Sequence, residues 1–139
     1  MAQVDQALQE VLEEGPLTVI PSEHMARAGG RALMLSIREL ELLTELVRRA
    51  DRIVAREELF ALVWGREMPV RGRSVDVYIR KLRVKLAAAA PEWRFIHTHV
   101  RLGYRLAAEP AWSGAFTSGS HHVYINGPDP ADTLGNSDD

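Results

Sequence analysis

The sequence of 139 residues predicts a mixed α+β domain in which a small antiparallel sheet precedes three helices and a β-hairpin follows them. Three observations predict this order. Short apolar runs separated by proline and glycine occupy residues 17–36, helical periodicity recurs three times between residues 37 and 91, and two alternating runs close the pattern at 94–107. Hydrophobic residues make up 46% of the chain, which is enough to bury one core.

Composition divides the chain into three segments. Residues 1–15 are predicted to form an amphipathic acidic helix, because the apolar residues share one helical stripe and Gly15-Pro16 ends it. Residues 16–108 form the predicted folded domain. Residues 109–139 are rich in Gly, Pro, Ser, Asp and Asn and have no helical period, which predicts an acidic, disordered tail.

Strands are predicted first within the domain. The candidate strands are LTVIP (17–21), EHMARAG (23–29) and RALMLS (31–36), the last two paired around the turn Gly29-Gly30. Ser36-Ile37-Arg38-Glu39 then matches the capping box S-x-x-E, which predicts a helix start. Apolar residues cover more than about 200° of the helix at 37–49, which predicts a central, mostly buried helix.

Two more helices follow. REELFALVW (56–64) carries acids in its predicted first turn and stops at Gly65. The loop REMPVRGR (66–73) leads to Ser74, the predicted N-cap of the third helix. That helix contains RSVDVYIRKLRVKL (73–86) and ends in AAAAP (87–91).

The third helix has two faces of different chemistry. A core-facing seam within about 60° is predicted for Val75, Ile79, Leu82 and Leu86. The outer face holds Val77, Arg80, Lys81 and Val84, and the seam is flanked by Tyr78, Arg83 and Lys85. Asp76 is expected to orient Arg80 through an i,i+4 ion pair. In a major groove the cations would reach guanine or phosphate and the valines thymine methyls, although surface valines are also simply tolerated.

Charge is segregated along the chain. All 17 Lys and Arg residues lie between Arg27 and Arg105, together with nine acids, which leaves this part with a net charge of +8. Residues 1–26 and 106–139 each hold five acids and no base. A basic block of this density is the footprint of a nucleic-acid-binding surface, although a solvated surface has the same composition.

The order of the elements favours DNA. Two helices, a short loop, a third basic helix and a hairpin follow one another as in a winged helix-turn-helix, whose last helix enters the major groove. The hairpin of that fold contacts the backbone or the minor groove. RNA is a weaker partner, because its deep, narrow major groove does not admit such a helix.

Residues 17–107 resemble the OmpR/PhoB-type winged-helix effector domain of bacterial response regulators. The resemblance is carried by LSIRELELLTELVRRADRIVAREELFALVWG (35–65), RSVDVYIRKLRVKL (73–86) and GYRL (103–106). It implies a sequence-specific regulator of transcription with an N-terminal antiparallel sheet, three helices and a C-terminal hairpin wing.

The resemblance also implies which residues bind. It places at DNA-contacting positions, or at the end of the wing, Arg73, Tyr78, Arg80, Lys81, Arg83, Thr98, Tyr104 and Arg105. The predicted DNA site further includes Ser74, Val77, Val84 and Arg101. A loop that contacts RNA polymerase in some members corresponds to Arg66, Glu67, Met68, Pro69, Val70 and Arg71. A homodimer on repeated half-sites remains open.

The chain departs from the family pattern in three places. The family wing reads T-V-R-G-x-G-Y, whereas this chain has THVRLGY at 98–104. Val100 replaces the minor-groove arginine and Arg101 a glycine, so we expect Arg101 to make the groove contact with altered turn geometry. Ala55 replaces the usual Ser or Thr cap, at a cost of about 1 kcal/mol. Only sixteen residues precede the first predicted strand, so we expect an orphan, response-regulator-like chain without a receiver domain.

Patterns for catalysis are missing from the sequence. It contains no cysteine, no glycine-rich phosphate loop and no G-x-S-x-G, so we expect neither an enzyme nor a cofactor. His97 and His99 share one face of a predicted strand, which would permit two metal ligands, but no third lies nearby, and we expect no metal. Without a long apolar run or a signal segment, the protein is expected in the bacterial cytoplasm, at the nucleoid, with no membrane partner.

Two other functions fit the same residues. A winged helix also serves as a protein-interaction module, since a fold does not determine a function. Alternatively, the protein binds DNA without sequence preference, as an architectural protein does. Equal affinity for random and selected duplexes would identify this second alternative.

Overall fold

The computed structural model describes residues 9–65 and 73–112. Its elements in chain order are β1 Leu12–Glu14, β2 Leu17–Ile20, β3 Met25–Ala28, β4 Arg31–Ala32, α1 Ile37–Arg48, β5 Ile53–Val54, α2 Arg56–Trp64, α3 Arg73–Ala89, β6 Trp93–His99 and β7 Gly103–Pro110. A short 3₁₀ turn, Pro21–Glu23, connects β2 to β3. This order confirms the predicted α+β fold with an N-terminal antiparallel sheet, three helices and a C-terminal hairpin.

The first four strands form an antiparallel sheet in the order β1-β2-β3-β4. Ala28 of β3 pairs with Arg31 of β4, so only Gly29 and Gly30 lie in the turn between them. Both glycines have positive φ angles, 60° and 80°, which is the arrangement that two-residue hairpin turns require. The predicted glycine hairpin is therefore confirmed.

The N-terminal helix predicted over residues 1–15 is wrong in its described part. Leu12–Glu14 is a strand, and Glu14 pairs with Leu17 across the turn Gly15-Pro16. A Cβ added to Gly15 would lie 2.5 Å from the Cβ of Ala108, so this turn packs closely against β7. Strand pairing and this tertiary contact override the helical period of a short segment. Residues 1–8 lie outside the described residues.

Helix α1 lies at the centre of the core. The amide of Ser36 donates to Glu39 Oε1 at 2.8 Å and the amide of Glu39 donates to Ser36 Oγ at 3.2 Å, which confirms the capping box. Its buried apolar residues are Leu40, Leu42, Leu43, Leu46 and Val47. Ile37, which we expected on the apolar face, is 66% exposed, because it stands at the first position of α1, where no other described element covers it.

The last two strands belong to a second sheet, in the order β5-β7-β6. Ile53 and Val54 of β5 pair with β7, an interaction that a run of two residues does not reveal in the sequence. β7 extends through Pro110, which pairs with Trp93, so the strand enters the segment predicted as a tail. The hairpin β6–β7, with its tip at residues 99–102, is called the wing below.

Candidate nucleic-acid interface

Helix α3 is anchored by one face and open on the other. The predicted seam is buried throughout, with no member more than 3% exposed: Val75, Ile79, Leu82 and Leu86. On the opposite face Arg80 and Lys81 are exposed, and Val77 and Val84 are 38% and 64% exposed. The helix therefore presents two cations and two apolar side chains outward from a fixed support.

The start of α3 differs from the sequence prediction. The helix begins at Arg73, so Ser74 lies within its first turn. A cap residue has non-helical backbone angles, and Ser74 therefore does not serve as the N-cap. The side chains of Arg73 and Ser74, and the whole predicted partner loop at 66–71, lie outside the described residues.

An aromatic group supports the outer face of α3. The rings of Trp64 and Tyr78 meet edge to face with their centroids 5.4 Å apart, and Trp64 stacks on Phe60 at 4.9 Å. The Nζ atom of Lys81 lies 5.1 Å from the centre of the Tyr78 ring, within the range of a cation–π contact. Tyr78 is half-buried. Its ring therefore contacts Trp64 of α2 on one side and the exposed Lys81 on the other.

Asp76 connects α3 to two other elements. Its carboxylate accepts a hydrogen bond from the hydroxyl of Tyr104 on β7 and lies 3.3 Å from Nε of Arg56 on α2. Burial, followed by the hydrogen bond to Asp76, raises the pKa of Tyr104 well above its ordinary value, so the phenol stays protonated as the donor. No local sequence signal reveals the contacts with Tyr104 and Arg56, and the interaction of Asp76 with Arg80 stays a prediction.

Arg83, on the flank of the seam, reaches the wing. Its Nη2 atom donates to the carbonyl of Ile96 at 3.0 Å and to Thr98 Oγ1 at 2.6 Å. Nε also donates to the Ile96 carbonyl, at 3.3 Å. The guanidinium is therefore engaged with β6 and is only partly exposed.

Lys85, on the other flank, belongs to the fold. Its ammonium group donates to the Met34 carbonyl and to Glu39 Oε1, both at 2.7 Å. Burial alone would raise the pKa of Glu39, but hydrogen bonds from Lys85 and from the Ser36 amide outweigh it and hold this pKa below its ordinary value. The bond joins the C-terminal half of α3 to the cap of α1.

Two predicted wing residues are engaged with other groups of the protein. The side chain of Tyr104 is buried. Arg105 donates to His99 Nε2 at 3.0 Å and pairs with Asp51 at 2.9 Å and Glu109 at 3.5 Å. Asp51 and Arg105 are 54 residues apart in sequence, and no local pattern predicts their pairing.

The wing tip is a tight turn with exposed side chains. The amide of Leu102 donates to the His99 carbonyl at 2.8 Å, which closes a four-residue turn. Arg101 has a φ of 69°, a value that turns of this kind usually reserve for glycine. Val100 and Leu102, on either side of it, are 58% and 60% exposed. Arg101 thus takes a left-handed backbone conformation and is exposed at the tip. Its contact with a DNA groove stays a prediction.

His97 and His99 are engaged with protein groups. His97 is buried, and its Nε2 atom donates to the Ala107 carbonyl at 2.9 Å. His99 accepts from Arg105. Among residues 9–65 and 73–112, no cluster of three His, Asp or Glu side chains is arranged to hold a metal ion. No helix in these ranges is long and apolar enough to cross a membrane.

We expect His97 to make the domain less stable in mild acid. Burial, the main cause, lowers the pKa of His97 below 6.5, and Arg105 and Arg94 lower it further, whereas the Ala107 carbonyl and Glu109 act in the opposite direction. The unfolded chain therefore takes up this proton at a higher pH, and stability falls as the pH drops below about 6.5.

Urea unfolding between pH 7 and pH 5 should show a decline in the free energy of unfolding that His97→Gln reduces. An unchanged decline in this variant would contradict the prediction, and His24→Asn, at an exposed position, is the control.

The anchored helix with an outward cationic face, followed by a β-hairpin, defines a winged helix-turn-helix domain of the kind that binds nucleic acid. A family model described as "Transcriptional regulatory protein, C terminal" matches residues 30–106. The chain belongs to this family, that of the OmpR/PhoB-type DNA-binding domains of transcriptional regulators.

Three relatives illustrate the match. The phosphate regulon transcriptional regulatory protein PhoB of Klebsiella pneumoniae is 35% identical over 102 residues, which are 73% of this chain and 44% of that protein. This chain thus spans less than half of that relative. The RstA DNA-binding domain of Klebsiella pneumoniae, solved in complex with the RstA box, is 34% identical with a TM-score of 0.63, covering 70% of this chain and 97% of that chain. The CpxR DNA-binding domain from E. coli is 28% identical with a TM-score of 0.64, covering 70% and 96%.

Proposed function

We propose that this domain binds double-stranded DNA with sequence preference and regulates transcription in the bacterial cytoplasm. α3 would be the recognition helix in the major groove, and the wing would contact the adjacent backbone or minor groove. One observation carries the proposal: a seam no more than 3% exposed fixes α3 to the core, while the opposite face presents Arg80 and Lys81 beside exposed valines. Family membership and a relative solved on its DNA box support it.

The roles of the predicted site residues divide by exposure. Arg80, Lys81 and Arg101 would supply contacts to phosphates and base edges. Val77 and Val84 would meet thymine methyls, and the half-buried Tyr78 would hold Lys81. Thr98, which is partly exposed, would donate to a phosphate. Tyr104 and Arg105 would support the wing through their contacts with other protein groups. Arg73, Ser74 and the polymerase-contacting loop at 66–71 remain part of the proposal on the family resemblance alone.

Selection of bound sequences from a pool of random duplexes tests the function. We expect enrichment of one short motif, and a repeated motif at about one helical turn would indicate two copies on adjacent half-sites. Equal binding of selected and random duplexes would reject sequence preference and favour an architectural role. No binding to either pool would favour the protein-interaction alternative.

The strained wing tip predicts opposite effects on stability and binding. Arg101→Gly removes the cation and suits a φ of 69°, so we expect DNA affinity to fall about tenfold. The free energy of unfolding should stay the same or rise by up to about 1 kcal/mol, because the relief of strain offsets the entropy of the added glycine. Fluorescence anisotropy with the selected duplex and thermal unfolding measure the two effects.

Arg101→Lys is the matched control for this variant. It keeps the charge and the strain, so most of the affinity should remain. Wild-type affinity in the glycine variant would show that the wing tip does not contact DNA.

A further inference from the structure

We infer that Arg83 and Tyr104 are positioning residues that fix the wing against the recognition helix and act on DNA only through wing residues. The inference rests on the proposed DNA-binding function. It assigns Arg83, which the family resemblance places among the DNA contacts, to a different task. Two side-chain bridges between α3 and the wing carry it.

The first bridge runs from α3 to β6. The guanidinium of Arg83 binds the Ile96 carbonyl at 3.0 Å and the Thr98 hydroxyl at 2.6 Å at the same time. β6 is an edge strand, because the sheet order is β5-β7-β6. A planar, forked donor that holds two acceptors on one strand restrains both the position and the orientation of that strand.

The first bridge also orients Thr98. A hydroxyl has one hydrogen, and the Oγ1 atom of Thr98 already accepts from Arg83. Its own hydrogen must therefore donate to another group. A phosphate oxygen is the acceptor that the proposed function supplies, so Arg83 would prepare Thr98 as a phosphate donor without touching the DNA.

The second bridge runs from β7 back to α3. The buried Tyr104 donates to Asp76, which lies 3.3 Å from Arg56 on α2. Tyr104 is three residues from Arg101, so its position bears directly on the wing tip. The guanidinium carbon of Arg83 lies 5.7 Å from the centre of the Tyr104 ring, so the two bridges contact each other.

Both wing strands are thus attached to the helix that would read the DNA. One bridge holds β6 and the other holds β7, and together they set the distance between the outer face of α3 and the tip at Arg101. We expect this distance to determine whether helix and wing engage one duplex at the same time. Loss of a bridge should therefore weaken DNA binding through the wing contacts.

Two double-mutant cycles test the inference, with dissociation constants for the selected duplex as the readout. Tyr104→Phe removes only a hydroxyl and is combined with Arg101→Ala. Arg83→Gln is combined with Thr98→Val. In the wild-type background, Tyr104→Phe and Arg83→Gln should each weaken binding about fivefold. In a chain that already carries the paired wing substitution, each should weaken binding less than about twofold. Thr44→Val, which removes a buried hydroxyl bonded within α1, is the control and should leave DNA affinity unchanged.

Arg83→Lys distinguishes a positioning role from direct contact with DNA. It also tests the inference if another bridge variant fails to fold. Lysine keeps the charge but replaces the rigid guanidinium plane, whose Nε and Nη2 atoms both donate to β6, with one flexible ammonium group that does not fix the orientation of the strand. It should therefore weaken binding nearly as much as glutamine does. Wild-type affinity in Arg83→Lys, or additive effects in both cycles, would overturn the inference while the proposed function stands. Failure of the wild-type chain to bind any duplex would overturn both.

Discussion

Gly103→Ala is expected to destabilise the domain by about 3–5 kcal/mol, a large part of the stability of a domain of this size. Gly103 has a φ of 144°, and an added Cβ would lie 2.0 Å from the carbonyl oxygen of Val54. That oxygen belongs to β5, whose Val54 pairs with Tyr104, so it cannot move without loss of strand pairing. Thermal and urea unfolding measure the effect.

Gly30→Ala is the matched control for backbone strain alone. Gly30 also has a positive φ, 80°, but no atom lies within 4 Å of an added Cβ. We expect a cost of only about 1–2 kcal/mol for this variant. Equal losses in the two variants would contradict the close packing of Gly103 against β5.

Replacement of Arg80 and Lys81 together by alanine should weaken binding to the selected duplex about 100-fold or more, because each cation on the outer face contributes about 1–3 kcal/mol. Both side chains are exposed, so the free energy of unfolding should change little. With about four phosphates neutralised, the wild-type slope of log affinity against log salt should be about −3.6, and it should become shallower in the variant.

The control removes the same charge from another surface. Arg27 and Arg31 are exposed on the N-terminal sheet, and their double alanine variant should bind within about threefold of wild type. A loss as large as that of the Arg80 and Lys81 variant would mean that only overall charge attracts the DNA. A different outcome would identify an interaction module: the wild-type domain would bind DNA only at background, and the Arg80 and Lys81 variant would lose binding to a protein partner.

The parts of the fold predicted from the sequence depend on neighbours in the chain. A helical period of 100° per residue places Val75 and Leu86 in the core and Arg80 on the outer face whatever lies around the helix. The bonds between Ser36 and Glu39 close within one turn, and the two-residue turn at Gly29 needs only the freedom of glycine. Each of these signals is local, and each is confirmed.

The parts that the sequence did not predict depend on distant residues. Leu12–Glu14 has a local helical period, but it forms a strand because it pairs with β2 and because Gly15 packs against Ala108. β5 is too short to show alternation, and only its pairing with β7 makes it a strand. A tertiary contact can outweigh local propensity because it adds strand hydrogen bonds and burial that the isolated segment lacks.

By itself the sequence determined that this chain carries a winged helix whose third helix has a cationic outer face, because periodicity, capping and charge can be read from short stretches. Only the tertiary structure decided which groups Arg83 and Tyr104 contact. Arg83 and Tyr104 look like surface candidates in a linear pattern, but Arg83 reaches β6 across 15 residues of chain and Tyr104 reaches Asp76 across 28. A long polar side chain binds whichever partner the fold brings within about 3 Å, and that partner is set by packing.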